Sequence, residues 1–419
     1  MRHPHPRRPR REGSARLLSG GLLLLAGALV SGACKPTSAP PEATPEPRAE
    51  AVPLAVELAE GLERPIDVDD PTTCAACHGV VYAEWTESMH ARAHHTEDPL
   101  YAGMRAFRLS KGHAIEGKCE TCHAPRAGDR LDGPAARAGV SCSACHNVVA
   151  VHAAVESHGA QQLEAAPDDT MRSARDVADG RSPVHGNGPA LPAIADGKTL
   201  CLACHGHHTN PAGIPVCTTG SELDAHGGDA TCVSCHMPEV DGPSGPVSER
   251  DRHRSHRFPG PHRAYLQDDP SLLAKSARME LEIADGQVRV RLENRSGHAL
   301  PSGFPGRLLT LRLRGFDARG REVWRGDGAP GTVLRRVFLD AEGAPTMPPF
   351  AQAAGPDTRL APDEVRTLAL DVPPAVVRVD AALEYRLIPP KAAQRMGLSE
   401  DGPLAEPVTV LTKTAQRPG

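Results

Sequence analysis

The pattern Cys-x-x-Cys-His is the feature of this chain with the clearest chemistry. Two thiols at this spacing can add to the two vinyl groups of a porphyrin, and the histidine beside them can bind iron as its proximal ligand. The pattern therefore predicts five covalently bound haem c groups. The five copies are Cys74-Ala-Ala-Cys77-His78, Cys119-Glu-Thr-Cys122-His123, Cys142-Ser-Ala-Cys145-His146, Cys201-Leu-Ala-Cys204-His205 and Cys232-Val-Ser-Cys235-His236.

Zinc is the alternative for these cysteine pairs, because Cys-x-x-Cys pairs also form zinc sites. The pairs Cys119/Cys122 and Cys142/Cys145 would suit a zinc ribbon. A zinc site, however, does not need histidine directly after each pair. Histidine makes up 21 of 419 residues, so five such neighbours arise by chance with odds on the order of one in a few million. This favours haem over zinc.

The segment after the first motif predicts a helix that carries a second iron ligand. Apolar residues at Val81, Tyr82, Trp85 and Met89 have helical spacing. From Cys74 onward the pattern is CxxCH-x-x-x-Tyr-x-x-Trp-x-x-Ser-x-His, which resembles the cytochrome c-554 family of multihaem cytochromes. The resemblance implies that His90 binds a haem iron; a surface histidine on a helix is the alternative.

Two more distal ligands follow from resemblance. The fifth motif continues as Cys-His-Met-Pro, and the later stretch from His256 to His262 has the form His-x-Phe-Pro-Gly-x-His. This combination is similar to the end of the haem region in the superfamily of cytochrome c-554, hydroxylamine oxidoreductase and octahaem tetrathionate reductase, and it implies a ligand role for His256, with His262 as its substitute. The element Ser-Pro-Val-His185 is similar to a Ser-x-Val-His element that supplies a distal ligand in related multihaem cytochromes.

His152 and Cys217 are the remaining candidates in the haem region. His152 lies six residues after His146, a reach too short for the same haem, so we expect it to serve a neighbouring one. Cys217 has no Cys-x-x partner. A buried or free thiol is the favoured interpretation of Cys217, and a haem ligand or a disulfide is the alternative.

The composition changes after about Leu272, where no further cysteine occurs. Alternating apolar and polar residues predict strands there. We therefore expect an α+β multidomain protein, in which a mostly α-helical, loop-rich pentahaem cytochrome domain at residues 66–268 is followed by an all-β, immunoglobulin-like sandwich at residues 269–419. The predicted strands are Arg278–Ile283, Gln287–Glu293, Leu308–Arg314, Val323–Arg325, Val365–Val372 and Val377–Leu387.

One loop of this β-region carries a histidine. Gly297-His298-Ala-Leu-Pro-Ser302-Gly is similar to a Gly-His-x-x-Pro-Thr-Gly loop in the C-terminal β-domain of multihaem cytochromes, with Ser302 in place of the usual threonine. The resemblance leads to the hypothesis that the loop reaches over the haem domain and that His298 binds one iron. A structural histidine in a turn is the alternative.

The N-terminal residues predict export. Six arginines lie within residues 2–16, and the apolar run Leu17–Val30 is followed by small residues, which together predict a signal peptide at residues 1–33. Gly32-Ala33-Cys34 resembles a bacterial lipobox, although Ser31 stands where leucine is usual, and this implies a lipidated Cys34. Cleavage by ordinary signal peptidase, with Cys34 incidental, is the alternative. Residues 34–65 begin with a stretch rich in proline, alanine, threonine and glutamate, which predicts a disordered tether.

Five haem sites between residues 74 and 236 predict a conductor of electrons. Lys35 after the lipobox cysteine implies outer-membrane sorting, so we expect a periplasm-facing lipoprotein of a Gram-negative bacterium. Its partners would be redox proteins, such as other cytochromes or a quinol dehydrogenase. The net charge of -5 gives no basic face for nucleic acid. The alternative is an oxidoreductase in which one open haem acts on a small nitrogen or sulfur oxyanion.

Overall fold

The structure is a computed structural model that describes residues 66–113, 119–152, 159–177 and 182–418. The predicted signal peptide, the tether and the lipidated Cys34 lie outside the described residues, and they stay predictions. No helix in these described ranges is long and apolar enough to cross a lipid bilayer.

The haem region contains two longer helices and several short ones. Helix α1 spans Thr72–Thr86, and helix α2 spans Pro99–Ser110. Asp98 caps the start of α2, because its carboxylate accepts the backbone N–H groups of Leu100 and Tyr101 at 2.9 and 3.2 Å. The short helices are α3 (Glu120–His123), α4 (Pro134–Arg137), α5 (Cys142–His146), α6 (Pro192–Ala195), α7 (Thr199–His205), α8 (Thr219–His226), α9 (Cys232–His236), α10 (Arg263–Leu266) and α11 (Ser271–Lys275).

The five Cys-x-x-Cys-His motifs lie on helices, with Cys119 of the second motif directly before the first residue of its helix. The first motif occupies the beginning of α1, which is kinked at His78 (φ -114°, ψ 34°). The other four lie on α3, α5, α7 and α9, and each of these helices ends at the motif histidine. A helical turn places the two cysteines and the histidine on one side of the backbone, where a single porphyrin can meet all three. A small antiparallel hairpin follows each of the last three motifs: β1–β2 (Val148–Val151, Leu163–Ala165), β3–β4 (His208–Thr209, Pro215–Cys217) and β5–β6 (Glu239–Asp241, Arg252–Arg254).

The C-terminal part forms two antiparallel sheets. One has the strand order β13-β8-β7, and the other has the order β12-β11-β9-β14-β15 with β10 paired to β9. The six predicted strands are present, and β11, β12 and β15 are additional. The strands are β7 (Ala277–Ala284), β8 (Gln287–Asn294), β9 (Leu308–Phe316), β10 (Glu322–Arg325), β11 (Val333–Leu339), β12 (Ala353–Asp357), β13 (Val365–Asp371), β14 (Arg378–Arg386) and β15 (Val408–Gln416), and helix α12 (Pro390–Arg395) lies between the last two.

The two sheets share one hydrophobic core. Alternate residues of β8 and of β14 are buried, as the period of a half-buried strand requires. Val290 of one sheet and Leu313 and Leu383 of the other are 0–1% exposed members of the same cluster. The all-β expectation agrees with this arrangement, whereas the immunoglobulin-like type stays a prediction.

The haem region has little apolar core of its own. Apart from residues that join the core of the sheets, its buried cluster consists of Ala124, Ala127 and Ala136. Helix α2 packs on the β-region, where a Cβ added to Gly103 would lie 2.9 Å from the Met396 carbonyl oxygen. Both regions belong to one compact unit, and the predicted boundary at residue 268 stays a prediction.

Candidate functional site

Three of the motif histidines are oriented by backbone carbonyl groups. The Nδ1 atoms of His123, His146 and His236 lie 2.7–2.8 Å from the carbonyl oxygens of Ala93, Arg172 and Pro259, respectively. A carbonyl can only accept, so each Nδ1 carries the hydrogen and each Nε2 keeps a free lone pair. A histidine that binds a metal through Nε2 needs this tautomer and this contact of Nδ1 with an acceptor.

Three motif histidines face a second imidazole across a gap that fits one metal ion. The ring centroids are 6.5 Å apart for His78 and His185, 6.3 Å for His90 and His205, and 6.2 Å for His146 and His256. Two imidazoles bound to opposite sides of one ion, with metal–nitrogen bonds of about 2 Å, have ring centres about 6.3 Å apart. Each pair therefore joins one motif histidine to one histidine that the sequence suggested as a distal ligand.

Burial favours the neutral form of three histidines in these pairs. Desolvation by the surrounding protein, together with nearby histidines, lowers the pKa of His78 to about 4 and that of His90 to about 3. Desolvation also lowers the pKa of His256 to about 4. Because metal ligation requires neutral imidazole, these environments favour binding of iron over binding of a proton.

His256 is positioned by the buried carboxylate of Glu84, which is 3% exposed. One oxygen of Glu84 accepts the backbone N–H of His256 at 2.8 Å. The other accepts Nη1 of Arg257 at 2.6 Å and the hydroxyl of Ser255 at 3.2 Å. His256 in turn donates from Nδ1 to the Arg254 carbonyl at 2.8 Å, so its Nε2 is the nitrogen left to bind a metal ion.

His90 is held by contacts of its backbone. Its carbonyl accepts the N–H of Val140 at 2.9 Å, and the carbonyl of Val140 accepts the indole N–H of Trp85 at 2.9 Å. Gly139 lies beside it with φ +64°, where a side chain would collide with the His90 carbonyl oxygen. Helix α1 and the segment before α5 thus fix His90 together.

Thiols of different motifs lie in pairs. The hydrogen bond from Cys142 lowers the pKa of the Cys74 thiol to about 7, and burial opposes this effect. A cysteine attached to haem is a thioether and does not titrate. These contacts matter because they show that the attachment sites of different motifs are neighbours. The other pairs are Cys122 with Cys204 and Cys201 with Cys232. Motif 1 therefore adjoins motif 3, while motif 4 adjoins both motif 2 and motif 5.

Two proposed ligands lack such a partner ring. The side chain of His152 is 63% exposed, and its Nε2 lies 2.7 Å from a carboxylate oxygen of Glu164. In the described part of the chain, the structure does not bring His152 to a motif histidine. Desolvation lowers the pKa of His298, and the bond to the Ala299 carbonyl opposes this shift. The charge of His236 also lowers the pKa of His298, which indicates that the two histidines lie near each other.

The second motif has an aromatic neighbour that sequence reasoning missed. Tyr101 stacks on His123, with ring centroids 4.2 Å apart and planes inclined by 27°. The Tyr101 hydroxyl donates to the carboxylate of Glu120 at 2.7 Å. Among the described residues, His123 has no second imidazole at the separation seen in the three pairs. No sequence signal indicates the stack, because it depends on how α2 packs against α3.

The donor set and the packing both fit haem c. Each motif offers two thiols and an imidazole, and three of the imidazoles oppose a second one at the separation that an iron requires. The haem region has only a small alanine cluster as its own core, and aromatic residues are only 3% of the chain. Porphyrins would therefore supply the large apolar groups that this region needs.

Comparisons with known proteins agree with haem c as the cofactor. Residues 73–147 match the family model described as cytochrome c554 and c-prime. A search of curated proteins finds no match. Among solved structures, the chain is similar to a penta-heme cytochrome c552 from Thermochromatium tepidum, with 26% identity and a TM-score of 0.69, over 82% of this chain and 97% of that one.

Proposed function

We propose that this chain, which is a multihaem cytochrome c of the cytochrome c-554 superfamily and carries five haem c groups, is an exported electron carrier. The observation that carries the proposal is the set of three imidazole pairs at 6.2–6.5 Å. A bound haem c supplies one-electron exchange between Fe(III) and Fe(II). The two imidazoles of each pair would hold one iron between them, and that iron would have no ligand position left for a substrate.

The chain supports transfer by keeping attachment sites adjacent. The thiol contacts connect motif 1 with motif 3 and motif 4 with motifs 2 and 5. The charge of Cys145 in motif 3 contributes to raising the pKa of Cys201 and Cys204 in motif 4. This indicates that motif 3 lies near motif 4. The five sites therefore form one continuous set, with motif 4 as its branch point.

Export and location are the finer part of the proposal. The arginine-rich segment, the apolar run and the lipobox-like Cys34 support a lipid-anchored protein that faces the periplasm, at the outer membrane of a Gram-negative bacterium. Such a carrier would exchange electrons with other cytochromes or with a quinol dehydrogenase. Radiolabelled palmitate incorporated into the wild-type chain, and not into Cys34→Ser, would support the anchor; equal incorporation would contradict it.

A redox titration of the purified holoprotein, followed by electron paramagnetic resonance, tests the main proposal. We expect at least three low-spin irons with two histidine ligands and fast exchange of electrons with small cytochromes. If fewer than three low-spin bis-histidine irons are found, the structural basis of the carrier proposal fails.

One observation favours a second function, that of an oxidoreductase for a small nitrogen or sulfur oxyanion. Tyr101 covers a face of the His123 ring, and no described imidazole pairs with His123. The carrier proposal expects no binding of carbon monoxide to the reduced protein. One carbon monoxide per chain, lost in the Cys119→Ala/Cys122→Ala variant, would instead favour the oxidoreductase.

A further inference from the structure

Arg307 brings a positive charge from the β-region into the haem region. It ends the loop before β9, where its backbone N–H donates to the Phe304 carbonyl at 3.2 Å. Its Nη1 donates to the Ser302 carbonyl at 2.7 Å. Gly303, with φ +80°, lets the loop fold around the side chain, since a Cβ there would collide with Nη1. The guanidinium is therefore held in one place by its own loop.

This guanidinium has no anionic partner among the described residues. Its Nε is buried and has no hydrogen-bond acceptor. No described carboxylate oxygen lies within the 4.0 Å that defines an ion pair. Burial raises the pKa of Asp98, and the charge of Arg307 is one of the effects that oppose this. The Asp98 carboxylate, however, already accepts two N–H groups at the start of α2. A charge inside a protein is costly unless an anion compensates it, so the site requires a negative group from another source.

The surroundings of Arg307 locate that group. Ser302, whose carbonyl accepts Nη1 of Arg307, also contacts Thr219, with 3.0 Å between the two hydroxyl oxygens. The next residue, Gly220, packs on Gly206, because a Cβ added to Gly220 would lie 2.9 Å from the Cα of Gly206. Gly206 directly follows His205 of the fourth Cys-x-x-Cys-His motif. The loop that holds Arg307 is therefore joined to the fourth motif.

We propose that Arg307 binds a propionate of the haem attached at Cys201 and Cys204. A guanidinium can donate two parallel hydrogen bonds to a carboxylate, and its free Nε can be one of the donors. The β-region would then contribute a positive charge beside the fourth motif, which adjoins motifs 2, 3 and 5. A positive charge near an iron favours Fe(II), so this contact raises the reduction potential of that haem. The proposal requires the haem and does not depend on the electron-transfer role.

The test compares Arg307→Gln with Arg307→Lys in the five-haem holoprotein by spectroelectrochemical titration. We expect Arg307→Gln to change the reduction equilibrium of one of the five haems about tenfold. For one electron this lowers its midpoint potential by about 59 mV. Arg307→Lys keeps the positive charge, so the midpoint potential of that haem should stay close to its wild-type value. Arg335→Gln is the matched control, because Arg335 is exposed on the neighbouring strand β11, and it should leave all five potentials unchanged.

Five unchanged potentials in a folded Arg307→Gln protein would overturn the proposal, as would an equal shift in the Arg335→Gln control. A crystal structure of the wild-type holoprotein decides the matter independently of how the variants fold. It should show a propionate oxygen of the fourth haem within ion-pair distance of Arg307. A propionate that points away from Arg307 would refute the contact even if electron transfer were demonstrated.

Discussion

The imidazole of His90 lies 6.3 Å from that of His205, with the two rings inclined by 41°. His90 follows the helix of the first motif, whereas His205 ends the helix of the fourth. The iron attached at Cys201 and Cys204 would therefore tie together two parts of the haem region that are far apart in sequence.

Replacement of His90 by alanine should leave one iron without its distal ligand. We expect one of the low-spin signals in electron paramagnetic resonance to become high-spin, while the haem content stays at five. His152→Ala is the control, because His152 is exposed and pairs with Glu164, and its spectrum should match that of the wild type. An unchanged number of low-spin irons in His90→Ala would show that the His90–His205 pair does not bind iron.

Glu84→Gln should disturb the distal ligand of another iron. The carboxylate accepts groups from three successive residues around His256, and it compensates the charge of Arg257. Loss of a buried partner of a charged group costs about 3 kcal/mol. We expect a decrease of this size in the free energy of unfolding, measured by denaturation with guanidinium, and a changed low-spin signal for the iron between His146 and His256.

Glu97→Gln is the matched control for that experiment, since Glu97 lies exposed in the same region. It should leave both the unfolding free energy and the spectrum unchanged. A Glu84→Gln protein as stable as the wild type, with an identical spectrum, would mean that Glu84 does not position His256.

The covalent part of the site was predictable, because attachment of haem requires fixed residues at fixed spacing. His90, His185 and His256 could also be selected, on local patterns after or before a motif. Their pairing could not, since it depends on which helices meet: His90 faces His205 of the fourth motif and not His78 of its own. His152 was selected on spacing alone, and the structure places its ring on the surface beside Glu164.

The strands show the same division between local and non-local causes. Strands β7, β8 and β14 alternate cleanly because each has one face in the core. Strand β12 contains Gly355 and Pro356, which resemble a turn in sequence, and adjacent arginines interrupt the alternation of β11. Strand β15 is mostly exposed at the edge of its sheet. Pairing with a neighbouring strand, and not the pattern of the segment itself, makes these three strands.

His298→Ala should tell whether the β-region supplies a ligand to the fifth haem. His298 lies near His236, and its Nδ1 lies 3.0 Å from the Ala299 carbonyl, which leaves Nε2 free. We expect the variant to lose one bis-histidine iron and to gain one high-spin signal. His207→Ala, at an exposed position whose ring bonds Ser221, is the control. An unchanged count of bis-histidine irons in His298→Ala would assign His298 a structural role in its turn.

Glu222 of helix α8 joins the haem region to the loop of His298, and this contact should depend on pH. Its carboxylate accepts the N–H of Ala299 at 3.1 Å and the hydroxyl of Ser302 at 2.6 Å, and it pairs with Arg359 at 2.8 Å. Burial alone would raise its pKa, but the bonds to Ser302, Thr218 and Arg359 outweigh burial and lower the pKa below 4.5. The ionised carboxylate is thus favoured in the folded protein.

Since the pKa of Glu222 is lower in the folded than in the unfolded chain, its stabilisation is complete above about pH 5 and is lost as the pH falls through the folded value. Glu222→Gln should therefore lower the unfolding free energy at pH 7 by about 2 kcal/mol, and the difference from wild type should shrink below pH 4. Denaturation followed by circular dichroism at both pH values measures this. Glu342→Gln, at an exposed position, should behave like wild type, whereas a Glu222→Gln deficit that persists unchanged in acid would argue against the ionised contact.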